Sequence, residues 1–288
     1  LTTALLMCAV VLAVGGTNKP FVAIACINIV VAANAGGAFS PFGDITTLMV
    51  WQKGILGFFE FFALFVPSVV NFLVPAAIMH FFVPNEHPAP NDEVVDMKDG
   101  AKMIMLLFGL TIATAVSFHQ FLHLPPMLGM MTGLGYLKIM GFYLKKKAHR
   151  LHERTDTGQV GDVAVFDVFA KVARAEWDTL LFFYGVVLSV GGLGFMGYLA
   201  LVSEIMYLDM GPTTANVLVG FLSAIVDNIP VMFAVLTMQP DMSDGQWLLV
   251  TLTAGVGGSM LSIGSAAGVA LMGQARGMYT FFGHLKWT

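Results

Sequence analysis

The sequence predicts an all-α polytopic membrane protein in which two spans are interrupted at corresponding points. Of its 288 residues, 57% are hydrophobic and 11% are charged, whereas a soluble domain carries about 25% charged residues. The mean hydropathy is +0.80, and several apolar runs reach the roughly 20 residues that cross a bilayer. Two of these runs contain glycine-rich interruptions, "GGAFSPFGD" at 36–44 and "GGSMLSIGS" at 257–265.

The apolar runs set out the elements in chain order. They cover residues 1–14, 20–51, 54–83, 101–118, 127–144, 179–208, 213–238 and 247–282. From them we expect four sections: 1–51, the end of a first hairpin plus a first broken helix; 52–100, a helix and a cytoplasmic loop between repeats; 101–178, scaffold helices, a basic loop and an amphipathic interfacial helix; and 179–288, a helix, a second hairpin and a second broken helix. Because the chain starts without Met inside an apolar run, we expect it to be cut at the N-terminus, and at the C-terminus as well.

The two interruptions form an internal repeat. They align without gaps, so that Gly36, Gly37 and Gly43 coincide with Gly257, Gly258 and Gly264, and Asp44 lies opposite Ser265. Glycine matches arise by chance in membrane helices, but both stretches also lie between apolar half-helices and follow a short apolar run. Glycine- or proline-interrupted segments at corresponding places in two halves indicate the binding site of a secondary transporter.

A second kind of break is expected at "DNIP", residues 227–230. Lys and Arg concentrate on the cytoplasmic side of membrane proteins. Nearly all of them, including Lys286, fall on one side if this break is the tip of a re-entrant hairpin rather than part of a full crossing. Unwound backbone at such breaks exposes carbonyl oxygens that can coordinate a cation, which is tolerated only where the backbone lines a cavity or is buried in protein.

The stretches "ANAGGAFSPFGDITTLMVWQKG" (33–54), "SAIVDNIPVMFA" (223–234) and "GVGGSMLSIGSAAGVALMG" (255–273) closely resemble NhaD-type sodium/proton antiporters of the ion transporter superfamily. The resemblance runs over essentially the whole chain. It implies an inverted repeat of scaffold, re-entrant hairpin and broken helix, with cation sites where a hairpin tip meets a broken helix. It also implies a first hairpin tip, an Asp-Asn pair, upstream of Leu1, and a homodimer.

The candidate cation and proton ligands lie at these breaks. Asp44 and Asp227 supply charge, and the alternative for each is a helix cap. Neutral oxygens come from Asn34 and from the hydroxyl and amide groups at the breaks. The full expected set is Asp44, Asp227, Asn228, Asn34, Ser40, Thr46, Thr47, Ser262 and Ser265. The neutral members could equally form ordinary hydrogen bonds between helices.

The function expected from these residues and the resemblance is exchange of Na⁺, with Li⁺ as a second candidate, for H⁺, and hence a role in pH homeostasis. Within the superfamily, the alternative is a sodium-coupled dicarboxylate or anion symporter, which a carboxylate at the hairpin tip disfavours. A cation channel is the less favoured third reading. We expect a multi-pass protein of a bacterial inner membrane that is not an enzyme, with no cofactor beyond the transported ions, no transition-metal site and no nucleic-acid partner.

Overall fold

The computed structural model describes residues 2–16, 18–84, 100–152 and 177–287. These residues form helices and connecting turns, and no strand occurs among them. The chain divides into two compact units, Leu1–Pro90 together with Leu180–Thr288, and Asn91–Thr179. The prediction of an all-α polytopic fold is confirmed. The expected amphipathic helix at 163–178 lies almost entirely outside the described residues.

The described residues of the first part of the larger unit form four α-helices. They are α1 (Thr2–Gly15), α2 (Lys19–Gly37), α3 (Ile45–Gln52) and α4 (Phe65–His80), and a 3-10 turn at Glu60–Leu64 precedes α4. Asn18 caps α2 by accepting a hydrogen bond from the Phe21 amide at 3.1 Å, and Pro20 stands in the first turn, where a missing N–H costs nothing. The predicted run 20–51 is therefore two helices, α2 and α3, separated by the expected break.

The second part of the larger unit ends in a hairpin and another broken helix. Its helices are α7 (Trp177–Phe195), α8 (Tyr198–Ser203), α9 (Pro212–Ile225), α10 (Asn228–Met238), α11 (Asp244–Gly257), α12 (Ala266–Gln274) and α13 (Phe281–Leu285). Only two residues, Val226 and Asp227, join α9 to α10. With 14 and 11 residues, these helices are about 21 and 17 Å long at 1.5 Å per residue. Each is too short to cross a hydrocarbon core of about 30 Å. Two such short helices are what a re-entrant hairpin requires, because its chain enters and leaves on the same side.

The apolar run 179–208 differs from the single helix that we expected. It bends by 81° between α7 and α8, and Glu204–Asp209 continues from α8 as a π-helical turn. The physical reason is Gly197, which adopts a φ of +85°. That left-handed conformation is readily available only to glycine, so the right-handed helix stops there and a new one starts at Tyr198.

Three described helices are long and apolar enough to span a membrane, namely Lys19–Gly37, the Glu60–His80 segment and α5 (Ala101–Leu122). The bent pair Leu180–Phe195 and Tyr198–Asp209 would make a fourth if it counts as one span. These numbers agree with a multi-pass membrane protein.

The core of the larger unit joins α1 and α2 to α12. Cys8 of α1 and Cys26 of α2 are buried free thiols whose sulfurs lie 3.9 Å apart, so they serve as small buried side chains. Leu271 of α12 and Tyr279, just after it, complete the same cluster. The two sequence-distant halves are thereby packed into one body.

The smaller unit is built on the close packing of α5 against α6 (Pro126–His152). Gly129 and Gly133 of α6 are four residues apart, the small-residue spacing that lets membrane helices approach closely. A Cβ on Gly129 would overlap the backbone of Ala115, and one on Gly133 would overlap the side chain of Thr111. The helix pair therefore needs glycine at both positions.

We expect Gly129→Leu to destabilise this helix pair. The new side chain would meet the Ala115 backbone, which cannot move aside without separating the helices, and overpacking typically costs about 1–3 kcal/mol. Gly135→Leu is the matched control, because a Cβ on Gly135 meets nothing within 4 Å. The melting temperature of the purified protein in detergent should fall for Gly129→Leu only; equal melting temperatures for the two variants would contradict this packing.

Candidate functional site

The first break lies between α2 and α3. The chain leaves the helix after Gly37 and re-enters one at Ile45, with Asp44 as the N-cap in extended conformation. A Cβ on Gly43 would fall on the carbonyl oxygen of Gly37. At Gly37 and Gly43 the backbone on one side of the loop packs directly against the backbone on the other, so a side chain at Gly43 does not fit.

The second break repeats this construction. It lies between α11 and α12, and Ser265 is the N-cap in extended conformation, accepting a hydrogen bond from the Gly268 amide at 3.3 Å. A Cβ on Gly258 would fall on the carbonyl oxygen of Gly264. The glycine pair and the capping residue stand at the positions that the gapless alignment equates with Gly37, Gly43 and Asp44.

Asp44 is held by three hydrogen bonds. Its Oδ1 accepts from the Ile45 amide at 2.7 Å, and its Oδ2 accepts from the Thr46 hydroxyl at 2.9 Å. The third donor is Nδ2 of Asn228, 3.2 Å from Oδ2, which comes from 184 residues further along the chain. Asp44 is thus a helix cap, as the simpler interpretation held, and it is also the meeting point of the two repeats.

Asn228 comes from the tip of the α9–α10 hairpin. Val226 is extended, Asp227 is the N-cap of α10, and the Asp227 carboxylate accepts from the Ile229 amide at 3.0 Å. This cap directs the first residue of α10, Asn228, into the interior, where it is 6% exposed. Asp227 itself is half-buried and immediately precedes the residue whose amide contacts Asp44.

The second break packs against the other limb of the hairpin. A Cβ on Gly264 would clash with the carbonyl oxygens of Ser223 and Ala224 at the end of α9, and one on Gly257 would clash with that of Gly220. The Ser223 hydroxyl donates to the Ala254 carbonyl at 2.6 Å. The α9 limb of the hairpin therefore packs against the second broken helix, while Asn228 at the hairpin tip contacts the first broken helix.

The other predicted oxygens take local roles. Thr47 is buried, and its hydroxyl lies 2.9 Å from the Ser40 carbonyl and 2.7 Å from that of Asp44. The Ser40 hydroxyl accepts from the Phe42 amide at 3.4 Å. Asn34 lies buried in the last turns of α2, with no hydrogen-bond partner for its Nδ2 among the described residues. Of the predicted set, Asp44, Thr46 and Asn228 meet directly, whereas Ser262 and Ser265 lie in the second break.

Sequence reasoning missed two residues of this arrangement. Gly255 of α11 faces Asp44, and a Cβ there would stand 3.2 Å from its Oδ2 and 3.5 Å from the Thr46 hydroxyl. Ser223 fixes α9 to α11. The repeat alignment contained a signal for the first, because it places Gly255 opposite Asn34, a residue already in the predicted set.

Aromatic rings enclose one side of the first break. Phe42 lies edge-on to Trp51, with centroids 5.5 Å apart, and Phe58 lies edge-on to Trp51 at 5.8 Å. This apolar wall stands beside a cluster of oxygen atoms. Carboxylate, hydroxyl and carbonyl oxygens are the ligands that hard cations prefer, so the chemistry of the cluster suits a small alkali cation.

Paired helix breaks, a short hairpin and an oxygen cluster where they meet define a polytopic membrane protein of the broken-helix transporter class. A family model described as "Citrate transporter" matches residues 1–255. Relatives named Na⁺/H⁺ antiporter NhaD cover 100% of this chain: that of Vibrio parahaemolyticus is 66% identical, that of Vibrio cholerae serotype O1 63%, and that of Alkalimonas amylolytica 61%. The chain therefore belongs to the family of that model and, within it, to the NhaD-type sodium/proton antiporters.

The chain spans 72%, 63% and 62% of the lengths of these three relatives. No solved structure matches it significantly. The bacterial relatives and the apolar helices together support a multi-pass integral protein of the inner membrane.

Proposed function

We propose that the protein exchanges Na⁺, or Li⁺ in its place, for H⁺ across the membrane. The observation that carries this proposal is the Asp44 carboxylate, held in the first helix break between the Thr46 hydroxyl and the Asn228 amide of the hairpin tip. The names of the NhaD relatives support the same activity. Asp227 at the tip adds a second carboxylate.

Exchange follows from competition for one group. A proton on Asp44 removes the charge that a cation needs, and a bound cation neutralises the charge that a proton needs. The two ions therefore occupy the carboxylate in turn. If the site faces one side of the membrane at a time, it can bind one ion on that side only after the other ion has been released there. Each cycle therefore moves the two ions in opposite directions.

The two carboxylates disfavour anion symport, the activity that the description of the family model suggests. An anionic substrate would have to approach Asp44 and Asp227, whose charges repel it. Arg276 is exposed, and its Nε donates to the Gly273 carbonyl at 3.1 Å, beyond the end of α12.

The experiment that tests the proposal uses the complete gene product in proteoliposomes. Adding Na⁺ outside vesicles loaded with acid should release internal protons, reported by a pH-sensitive dye, and K⁺ at the same concentration should not. Citrate added with Na⁺ should leave the signal unchanged. Proton release that needs citrate would favour symport, and a Na⁺ current independent of any proton gradient would favour a channel.

We also expect the protein to need no cofactor beyond the transported ions, to act within a lipid bilayer and to form a homodimer, as the resemblance implies. Cross-linking in native membranes tests the last point. A cross-linked species of twice the monomer mass should appear at low reagent concentration.

Asn228→Leu should raise the Na⁺ concentration that gives the half-maximal rate. The change removes the amide that donates to Asp44. A hydrogen bond to the ionised carboxylate favours that form over the protonated one, so without it the proton competes better with Na⁺. A hydrogen bond to a charged group contributes about 1.5–3 kcal/mol, which corresponds to roughly 10- to 100-fold in affinity. Gln274→Leu, at an exposed position of α12, is the control and should leave the half-maximal concentration unchanged. Equal values for both variants would remove Asn228 from the cation site.

A further inference from the structure

A buried histidine outside the predicted set fixes the second break. His284 of α13 is 0% exposed. Its Nε2 lies 2.8 Å from the carbonyl oxygen of Ser259, the second residue of the break, and its Nδ1 lies 2.7 Å from the Tyr279 hydroxyl. A single side chain therefore joins the helix break to a segment 25 residues further along the chain.

The partners define the direction of both hydrogen bonds. A carbonyl oxygen can only accept, so Nε2 carries a proton and donates it to Ser259. In the neutral ring Nδ1 is then an acceptor, and the Tyr279 hydroxyl donates to it. Tyr279 is 2% exposed, so the chain of donors from tyrosine through histidine to the break is closed off from solvent.

The two breaks are held through different backbone carbonyls. In the first break, the Thr47 hydroxyl binds the Ser40 carbonyl within the loop. The gapless alignment places Gly268 opposite Thr47 and Leu261 opposite Ser40, so the second break lacks this hydrogen bond. His284 instead binds the carbonyl of Ser259, which aligns with Ala38. A Cβ on Gly268 would instead overlap the Ser262 carbonyl, so at this position the second break needs the absence of a side chain.

We propose that His284 is a positioning residue of the second helix break: by holding the Ser259 carbonyl, it sets the shape of residues 258–265 and thereby the seat of the re-entrant hairpin. Gly264 of this break meets the carbonyls of Ser223 and Ala224 at the end of α9. A shift of the loop is transmitted to the hairpin tip, which presents Asn228 to Asp44. This inference rests on the proposed function for its effect on transport.

Two nearly isosteric substitutions test the proposal in the complete gene product. In H284Q the amide nitrogen replaces Nε2 and can still donate to Ser259. In H284N the amide is one carbon shorter, so it replaces Nδ1 beside Tyr279 but does not reach Ser259. A lost hydrogen bond should raise the Na⁺ concentration for half-maximal exchange roughly 2- to 10-fold in H284N, while H284Q stays within about twofold of the unchanged protein. The maximal rate should change less in both.

A second measurement does not depend on transport. Hydrogen–deuterium exchange of a peptide covering 258–265 should be faster in H284N than in H284Q and the unchanged protein. If the unchanged protein shows no Na⁺-dependent exchange, the proposed function fails, and this measurement still decides the role of His284. Equal deuterium uptake in all three proteins would overturn the positioning role, as would equal impairment of transport in H284Q and H284N.

Discussion

Asp44→Asn is expected to abolish Na⁺-dependent proton exchange. The amide keeps the shape of the side chain, and its one oxygen can take the place of Oδ1 and accept from the Ile45 amide, so the helix cap is retained. Its NH2 group then takes the place of Oδ2, to which the Thr46 hydroxyl donates. It removes both the charge that attracts a cation and the group that takes up the proton. At an effective dielectric constant of about 20, a unit charge about 4 Å from a cation contributes about 4 kcal/mol, or roughly a thousandfold in affinity.

The measurement is the initial rate of dye-reported proton release in proteoliposomes of the complete gene product. Asp241→Asn is the matched control, because Asp241 is exposed in the loop between α10 and α11 and the substitution is chemically the same. We expect at least a roughly 100-fold fall in rate for Asp44→Asn and an unchanged rate for Asp241→Asn. Exchange at the unchanged rate in Asp44→Asn would reduce Asp44 to a structural cap.

Local features of the site could be predicted from the sequence because they depend on short-range chemistry. Glycine pairs, a capping Asp or Ser and flanking apolar half-helices are recognisable in a few residues. The structure has breaks at 38–44 and 258–265, slightly shorter than the expected 36–44 and 257–265, because Gly36, Gly37 and Gly257 still belong to the preceding helices. The same holds for the hairpin, where Asp227 precedes a helix with Pro230 in its first turn.

Contacts between distant segments could not be predicted from the sequence. Residues 44 and 228 meet in a fold in which α9 packs against α11 through Gly220, Gly257 and Ser223, and this packing is not encoded in any local pattern. The resemblance led us to expect sites where a hairpin tip meets a broken helix, and the second tip sends Asn228 to the first broken helix. His284 was missed for the same reason, since its partner is 25 residues away.

The bend at Gly197 was missed for a different reason. The run 179–208 contains several glycines, and composition alone does not distinguish one that packs within a helix from one that ends it. Gly185, Gly191 and Gly192 lie within α7, whereas Gly197 has a φ of +85°. The difference comes from the backbone conformation that the surrounding packing imposes.

Gly43→Ala is expected to prevent the first break from closing, with a loss of both stability and exchange. The added Cβ would fall on the carbonyl oxygen of Gly37, a contact between backbone atoms that no side-chain movement relieves. Overpacking costs about 1–3 kcal/mol where side chains can adjust, and we expect the upper end of this range or more here. Because Asp44 is the next residue, any displacement also moves its carboxylate away from Asn228.

Gly36→Ala is the control for this substitution, since it makes the same chemical change seven residues earlier. A Cβ on Gly36 meets nothing within 4 Å, and Gly36 lies within α2, where alanine is favoured over glycine by about 1 kcal/mol. The melting temperature in detergent should therefore hold or rise for Gly36→Ala and fall for Gly43→Ala, and the rate of Na⁺-dependent proton release should fall in the second variant alone. Equal behaviour of the two variants would mean that the loop does not depend on the contact between Gly37 and Gly43, and the close backbone approach that both repeats share would lose its role in shaping the site.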